Sequence, residues 1–318
     1  MSIKIHRQNP SSGGGQQPSD LLYGEIACDK DGTLYVGNSS NVPTYMLNSD
    51  IYNQVGNPNL LDNSDFTNPV NQRNKTEFDI NGYCIDRWQI FESTYNVNTR
   101  VVKSDSTVGE FGSQFRQIVN TDLLTIGDIV TVSAYVNNTK HSFTKTIQSS
   151  TWGSIKDAPY DLETSWGGFK LVKLRHRTEI FFVMYLKPSQ SITVNWAKLE
   201  RGSSVTPYVP KGYGAELSEC LRFYYQVDSV KTFGQQHTSA GTFVNIILPQ
   251  IMRVTPTVSA PGEWTIRFNG MDKKATVSSI NSLTGNTLSL TMSTIAGGTY
   301  IGPLYAFYNG EITFSADL

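Results

Sequence analysis

Residues 196–225, which read WAKLERGSSVTPYVPKGYGAELSECLRFYY, contain the junction that decides how this chain is organised. A strand is predicted over residues 191–199, because apolar and polar side chains alternate there. Pro207 and Pro210, with glycines close by, stop the elements on both sides from continuing. A short helical turn over residues 215–220 and the start of an aromatic strand follow. The stretch therefore predicts a boundary between two β-rich domains.

Strand patterns recur on both sides of this boundary, at spacings of roughly ten residues. Residues 129–136 alternate between apolar and polar side chains, which is typical of a half-buried strand. Residues 180–186, IFFVMYL, are apolar throughout and too few for a typical isolated helix, so they predict a central sandwich strand. Asn269-Gly270 and Asn309-Gly310 each predict a hairpin turn. Together these patterns predict an all-β fold.

The predicted fold has three parts, and its class is two consecutive β-sandwich or jelly-roll domains after a small N-terminal segment. Residues 1–55 are the attachment segment, with a hairpin whose strands cover residues 24–28 and 33–37. Residues 56–210 are the first domain, and residues 211–318 are the C-terminal β-sandwich. At 318 residues the chain is long enough for two or three domains.

Composition limits the partners of the chain. Charged residues make up only 17% of the sequence, and the formal net charge is −1. Such a balance offers no electrostatic attraction to nucleic acid or to an anionic membrane surface. No apolar run approaches the length of a membrane span, and the N-terminus lacks the apolar core of a signal peptide. We therefore expect no nucleic-acid binding and no membrane insertion.

The residues that usually carry catalysis or bind metals form no recognisable motif. The histidines have no metal-ligand spacing, and there is no nucleophile elbow, phosphate loop or H-E-x-x-H sequence. Cys28, Cys84 and Cys220 are odd in number and far apart, so they are expected to be buried thiols rather than disulfides or zinc ligands. We expect no enzyme activity, no catalytic residues, no metal and no cofactor. A pair of acidic residues facing each other across a cleft stays open as an alternative, since strands bring distant residues together.

The tryptophans provide the candidate binding residues. Trp152 and Trp166 flank a polar, turn-rich segment that also contains Tyr160. Sugar rings present flat C–H faces that stack on indole, so these three residues predict a glycan-binding platform. The alternative is that Trp152 and Trp166 fold back onto a sandwich core, since tryptophan is highly buried on average. The remaining tryptophans follow strand alternation and are predicted to be core residues: Trp88, Trp196 and Trp264.

Several segments together resemble the modular tail and head fibres of bacteriophages and prophages. The junction carries W-x-K-L-E-x-G-x-x-x-T-P-Y-x-P at residues 196–210 and G-x-E-L-x-x-C-x-R-F-Y at residues 214–224. The remaining similar segments lie in the predicted hairpin, at the start of the first domain and in the last domain: residues 24–37, 59–73, 82–83, 86–88, 248–258 and 314–318. Asn74 stands where the pattern more often has glycine. Asn is the next best residue for a turn with positive φ.

The resemblance implies a function in a virus particle. It implies a virion fibre or spike whose residues 1–55 attach to other virion proteins and whose residues 56–210 form a carbohydrate-binding-like jelly roll. Such fibres are usually homotrimers that adhere to glycans of the host surface. Carbohydrate modules of this type often bind a structural calcium, for which Asp62 and Asp65 are candidates. A turn fixed by Asx side-chain bonds is the alternative for these two residues.

Three functions are left open by the sequence. The first is non-enzymatic adhesion to host glycan by multivalent binding. The second is a fibre-borne polysaccharide depolymerase with an acid pair, and the third is a structural virion decoration protein. Arg175-His176-Arg177 has two interpretations as well: a patch for an anionic ligand, or a solvated edge together with Lys170 and Lys173.

Overall fold

The structure, a computed structural model, describes most of the chain from residue 57 onward and short segments before it. The described residues are 5–7, 26–28, 34–37, 40, 43–47, 57–79, 81–105, 112–119, 123–148, 152–238, 241–268, 270–293 and 302–316. The turn of the predicted N-terminal hairpin, at residues 29–32, lies outside them, as do Asn269 and the side chain of Cys28.

The N-terminal strands form a small four-stranded sheet. Its strands are β1 (Ile5–Arg7), β2 (Ile26–Cys28), β3 (Leu34–Gly37) and β4 (Pro43–Leu47), in that spatial order. β2 and β3 pair in antiparallel fashion, with Ile26 opposite Val36, so the predicted hairpin strands are confirmed.

Residues from Asn57 to Arg201 form a β-sandwich of two six-stranded sheets. Sheet A contains, in spatial order, β13 (Leu162–Thr164), β14 (Gly167–Lys173), β15 (Ile180–Leu186), β10 (Gln114–Val119), β7 (Trp88–Phe91) and β6 (Gly82–Tyr83). Sheet B contains β12 (Thr139–Thr146), β11 (Ile129–Val136), β16 (Ser191–Arg201), β9 (Val101–Ser104), β8 (Ser93–Asn96) and β5 (Glu77–Phe78). The predictions of an interior strand at residues 180–186 and a strand at residues 129–136 are confirmed. The second strand is not half-buried as predicted, because its polar residues Thr131 and Ser133 are also buried, and Thr131 donates a hydrogen bond to the Gly202 carbonyl.

Aromatic rings fill the space between sheets A and B. Trp88 is fully buried, as predicted, and stacks on Phe115 with the ring centroids 4.7 Å apart. Its indole nitrogen donates hydrogen bonds to the carbonyls of Asp62 and Asn63, so the ring also fixes the segment that enters the sandwich. Near this segment Asn74 has a φ of 54°, as expected for an asparagine in place of glycine.

The prediction that Trp196 is a core residue is wrong, and a β-bulge is the reason. Tyr135 pairs with Trp196 and Val136 with Val194, which leaves Asn195 as an extra residue in β16. Because side chains alternate between faces, one extra residue moves Trp196 to the outer face of sheet B. There its half-buried ring stacks on Tyr208, with centroids 4.7 Å apart and planes 2° from parallel.

The junction motif folds back onto β16 as a unit, which we call the clip: Lys198, Glu200 and Thr206, with the stacked Trp196 and Tyr208. Lys198 Nζ lies 3.0 Å from Glu200 Oε2, and both side chains are buried. The Thr206 backbone amide donates to Glu200 Oε1 at 2.9 Å. The Thr206 hydroxyl donates to Glu200 and accepts a hydrogen bond from Lys198. The charges are therefore buried as a hydrogen-bonded pair, as burial requires.

Beyond the clip, one helix leads into a single large sheet. The helix is α1 (Tyr213–Cys220), longer by two residues than predicted. Seven strands of the eight-stranded sheet follow the spatial order β21 (Met271–Ala275), β20 (Trp264–Phe268), β24 (Gly302–Ser315), β17 (Tyr224–Thr238), β18 (Gly241–Ile247), β23 (Thr287–Met292) and β22 (Val277–Thr284). β19 (Thr257–Ser259) pairs with β24. The sheet curls around its own core, which includes the fully buried Trp264, as predicted.

Of the two predicted hairpin turns, one fits the structure and one is wrong. Phe268 pairs with Met271, so a two-residue connection joins β20 and β21. Asn309-Gly310 instead lies inside the continuous strand β24. Ser229 pairs with Asn309 and Val227 with Ile312, so a β-bulge accommodates the glycine there. The all-β class is confirmed in both regions.

The sandwich and the C-terminal sheet have separate cores but share contacts. The Asn63 amide donates to Glu216 Oε2 at 2.7 Å, and the Gln72 side chain donates to the Tyr224 carbonyl at 2.8 Å. The Arg87 guanidinium lies 3.4 Å from the centroid of the buried Phe223 ring. The division at residues 210 and 211, like the division near residue 55, stays a prediction.

Candidate functional site

A cleft of about 310 Å³ opens at one end of the sandwich, where β12 and β14 end and β15 begins. Its apolar lining is Ile147, Ala158, Pro159, Leu171, Val172 and Ile180. Its polar lining is Lys145, Gln148 and Lys173, and Trp152 completes the wall. The cleft thus combines an apolar floor with a few polar groups and an aromatic ring, which is the usual composition of a small-ligand site.

Trp152 is the predicted site residue that the structure places at this cleft. It is 40% exposed, which is high for tryptophan. Its carbonyl accepts a hydrogen bond from the Arg175 amide at 3.2 Å, so the segment is held against the turn that follows β14. The indole is thus partly exposed in the wall of the cleft, on a backbone that is held by a hydrogen bond.

The segment 152–160 is anchored to the outer face of sheet A by Lys170. This lysine on β14 is 2% exposed, and its ammonium group donates to the carbonyls of Ile155 and Lys156, each at 3.0 Å. The group also lies 4.0 Å from the centroid of the Tyr185 ring. Burial lowers the pKa of Lys170 to about 8, against a partial opposing effect of Asp157 and Asp161. Lys170 is therefore a structural anchor and not part of a solvated edge.

Tyr160 lies at the end of the anchored segment and is half-buried. Its ring meets the Tyr185 ring edge-on at 6.0 Å, and the Lys170 ammonium lies 4.8 Å from its centroid. Burial raises the pKa of the Tyr160 hydroxyl. Tyr160 thus supports the segment that carries Trp152, and it is not among the residues that line the cleft.

Trp166 belongs to the core of the sandwich, and the structure corrects its place in a platform with Trp152. It lies in the two-residue turn between β13 and β14, where Thr164 pairs with Gly167. The ring is only 4% exposed and meets Phe169 edge-on at 5.3 Å. The turn is tight, since a Cβ on Gly167 would lie 1.9 Å from the Tyr185 carbonyl oxygen. A buried ring has no face to offer to a sugar.

The charges around the cleft are mainly positive. Lys145 is paired with Asp161 at 2.8 Å, and this carboxylate also accepts from the Leu171 amide at 2.6 Å. Lys173 lines the cleft and has no ion pair among the described residues. Arg175, His176 and Arg177 form the exposed turn that bonds to the Trp152 carbonyl. The lining that the structure describes contains no carboxylate.

The two calcium candidates have protein partners in the structure. Asp62 Oδ2 lies 3.0 Å from Arg87 Nε. Asp65 Oδ1 accepts hydrogen bonds from the Thr67 amide at 3.0 Å and the Thr67 hydroxyl at 2.5 Å, which forms the Asx turn given as the alternative. Among the described residues, no group of three His, Cys, Asp or Glu side chains is arranged to hold a metal ion.

The cysteines with described side chains are free and fully buried, as predicted. They are Cys84, before β7, and Cys220, at the end of α1. Burial raises the pKa of the Cys84 thiol to about 12, so the thiolate is suppressed at neutral pH. These two residues act as small apolar side chains.

The C-terminal sheet exposes a second group of aromatic side chains. Phe233 on β17 and Tyr305 on β24 are 66% and 52% exposed, with ring centroids 4.9 Å apart and planes tilted by 52°. The tilt prevents the two rings from offering one flat surface. No single helix in the described part of the chain is long and apolar enough to cross a membrane.

The cleft was hidden in the sequence because its walls come from distant segments. Ile147, Ala158 and Leu171 belong to three separate elements, and only Trp152 had a local signal, an indole beside glycine. Comparison with protein-family models found no match to this chain, and a search of curated proteins found none either.

Proposed function

We propose that this protein adheres to saccharides through the cleft at Trp152, as a non-enzymatic fibre or spike protein of a bacteriophage particle. The observation that carries the binding proposal is the exposed indole of Trp152 in the wall of a partly apolar cleft. The particle, the host surface and the homotrimer rest on the resemblance of the junction and the other segments to phage fibres.

The chemistry of the cleft suits a sugar ring. An indole face packs against the C–H face of a pyranose, and side chains with several donors bond to its hydroxyls. Gln148 and Lys173 are the side chains at the cleft that can supply such donors. One stacked ring contributes about 0.5–1.5 kcal/mol beyond burial, so a single site is weak. Adhesion therefore requires several copies acting together, which a homotrimer or a ring of fibres provides.

The runner-up functions have less support from the described residues. A depolymerase needs two carboxyl groups about 5–10 Å apart on either side of a glycosidic bond. Asp161, a carboxylate close to the lining, is held by Lys145 and the Leu171 amide. A decoration protein without receptor affinity has no use for an exposed indole in a cleft, and it is the outcome to expect if Trp152 proves dispensable.

The test replaces Trp152 with Ala. Binding of the purified protein to host cells and to a glycan array is compared with wild type, and thermal melts are recorded for both. We expect each site to lose about two- to tenfold in affinity, multiplied across the oligomer, with little change in melting temperature. Tyr213→Ala is the matched control, because Tyr213 is 47% exposed and lies outside the cleft.

Two results would count against the proposal. Unchanged adhesion by Trp152→Ala would remove the cleft from the binding site. Release of reducing ends from host polysaccharide by the wild type would replace adhesion with the depolymerase alternative.

A further inference from the structure

We propose that the cleft selects saccharides that carry acidic groups, such as uronates or sulfated sugars. This inference rests on the proposed function and names the ligand class of the same site. The evidence is the set of charged side chains near Trp152 and the ion-pair partner, if any, of each side chain among the described residues.

The basic turn after β14 is held at the cleft by its backbone. The Arg175 amide bonds to the Trp152 carbonyl at 3.2 Å, and the Arg177 amide bonds to the Leu174 carbonyl at 3.0 Å. The turn Arg175-His176-Arg177 is therefore held beside the backbone of Trp152, with all three residues exposed. In sequence, Arg175 is more than twenty residues from Trp152, so the contact is a product of the fold.

Positive charge at the cleft exceeds negative charge. Of the two lysines in the lining, Lys145 is neutralised by Asp161, whereas Lys173 has no ion pair among the described residues. The Arg177 side chain likewise has no carboxylate partner in the described part of the chain. The acidic residues near this group are Glu179, which is half-buried just before β15, and Asp157, which accepts a hydrogen bond from the Ser154 hydroxyl. An anion bound beside Trp152 would therefore meet the ammonium group of Lys173, which has no ion pair among the described residues.

A neutral sugar gains only hydrogen bonds from these side chains, whereas an acidic sugar also gains the attraction between opposite charges. An exposed cation beside a bound carboxylate or sulfate contributes modestly, as a surface ion pair does. Lys173 in the lining and the exposed Arg177 in the turn that follows β14 add their contributions, and they also speed the encounter with a polyanionic polymer. The protein's overall charge of −1 gives no general attraction to polyanions, so any preference has to be local.

The experiment compares matched acidic and neutral polymers. Polygalacturonate is tested against its methyl ester, and dextran sulfate against dextran, at fixed ionic strength with the full-length protein. We expect wild type to prefer at least one acidic member by about five- to tenfold, and the two pairs distinguish carboxylate from sulfate. The preference is expected to need Trp152, so Trp152→Ala should weaken binding of the preferred acidic polymer.

Charge variants decide whether the cleft is the cause. Lys173→Gln and Arg177→Gln are each expected to lower affinity for the acidic polymer about two- to fivefold and to leave the neutral polymer unchanged. Lys231→Gln is the control, because it removes an exposed positive charge from the C-terminal sheet. Thermal melts check that every variant is folded.

The failures of the two proposals are distinguishable. Equal binding of acidic and neutral polymers, or equal effects of Lys173→Gln and Lys231→Gln, would overturn the acidic preference and leave saccharide binding intact. If wild type bound none of the polymers and no glycan on the array, the proposed function would fall, and the ligand class with it.

Discussion

The sandwich and the C-terminal sheet cover their apolar cores in different ways. In the sandwich, sheets A and B face each other, and strands distant in sequence, such as β7 and β10, become neighbours. In the C-terminal sheet, one curled sheet covers its own core, and its central pair, β17 and β24, is likewise distant in sequence. The first arrangement leaves an open end between two sheets, where connecting segments build a cleft. The second leaves a broad outer face with scattered rings such as Phe233.

This difference in architecture determines where a binding site can form in an all-β chain. A cleft needs walls from different layers, and loops at the end of a sandwich supply them. A single curved face can offer only what the strands already present. Substitutions in each region test whether the two regions are as separate as their cores suggest.

The buried tryptophans test the separation directly. Trp88→Ala and Trp264→Ala should each lower the free energy of unfolding by about 3–5 kcal/mol, because a large cavity replaces a fully buried ring. Trp88→Ala should lower the free energy of unfolding more than Trp264→Ala, because the Trp88 indole also donates to two backbone carbonyls. The Trp264 indole nitrogen has no partner in the described part of the chain. Calorimetry and hydrogen exchange measure which region responds. If each variant weakened both regions equally, they would form one cooperative unit.

The clip tests a buried ion pair against an exposed one. Lys198→Met leaves Glu200 buried without its cation and should cost about 3–5 kcal/mol. The double change Lys198→Met with Glu200→Leu should cost less than this single change, because neither charge then remains buried alone. In the C-terminal sheet, Asp272→Asn breaks an exposed pair with Arg267, and a much smaller effect is expected. Urea unfolding measures all three. If Lys198→Met destabilised the protein no more than the double variant does, Lys198 and Glu200 would not be coupled.

The smallest predicted effect is a change of stability with pH, and it arises from one residue of the sandwich. Because burial lowers the pKa of Lys170 to about 8, the unfolded chain binds the proton more tightly than the folded one. Stability from this group should therefore rise as pH increases from about 8 toward its ordinary pKa near 10.5. The melting temperature of wild type relative to Lys170→Met should increase over that interval. A difference that stays constant, or decreases, would show that Lys170 is not buried as a charged group.

Alternation and turn signals predicted the strands well but failed where a strand is irregular. Residues 180–186 behave as expected because a strand covered on both faces is apolar throughout, and Trp88 does so because a regular strand keeps a period of two. Trp196 does not, because one bulged residue at Asn195 reverses the faces, and no local signal marks that bulge. Asn309-Gly310 has the composition of a hairpin turn, yet pairing along β17 keeps β24 extended through it.

The candidate site was predictable only in part. Trp152 and Trp166 stand in similar polar, glycine-containing segments, and sequence alone does not distinguish them. The hairpin between β13 and β14 directs Trp166 inward, while the segment anchored by Lys170 keeps Trp152 at the surface. Long-range pairing decides both outcomes, and propensity carries no information about it.

The clip also has a mechanical consequence. The chain leaves β16 and returns along it to Tyr208 before it reaches α1, so tension in residues 209–212 acts on the Trp196–Tyr208 stack and on the hydrogen bonds of Thr206 with Lys198 and Glu200. Force then acts on side-chain contacts that run alongside the strand, and the hydrogen bonds of sheet B are spared until those contacts separate. The clip would therefore protect β16 from tension that arises in the junction.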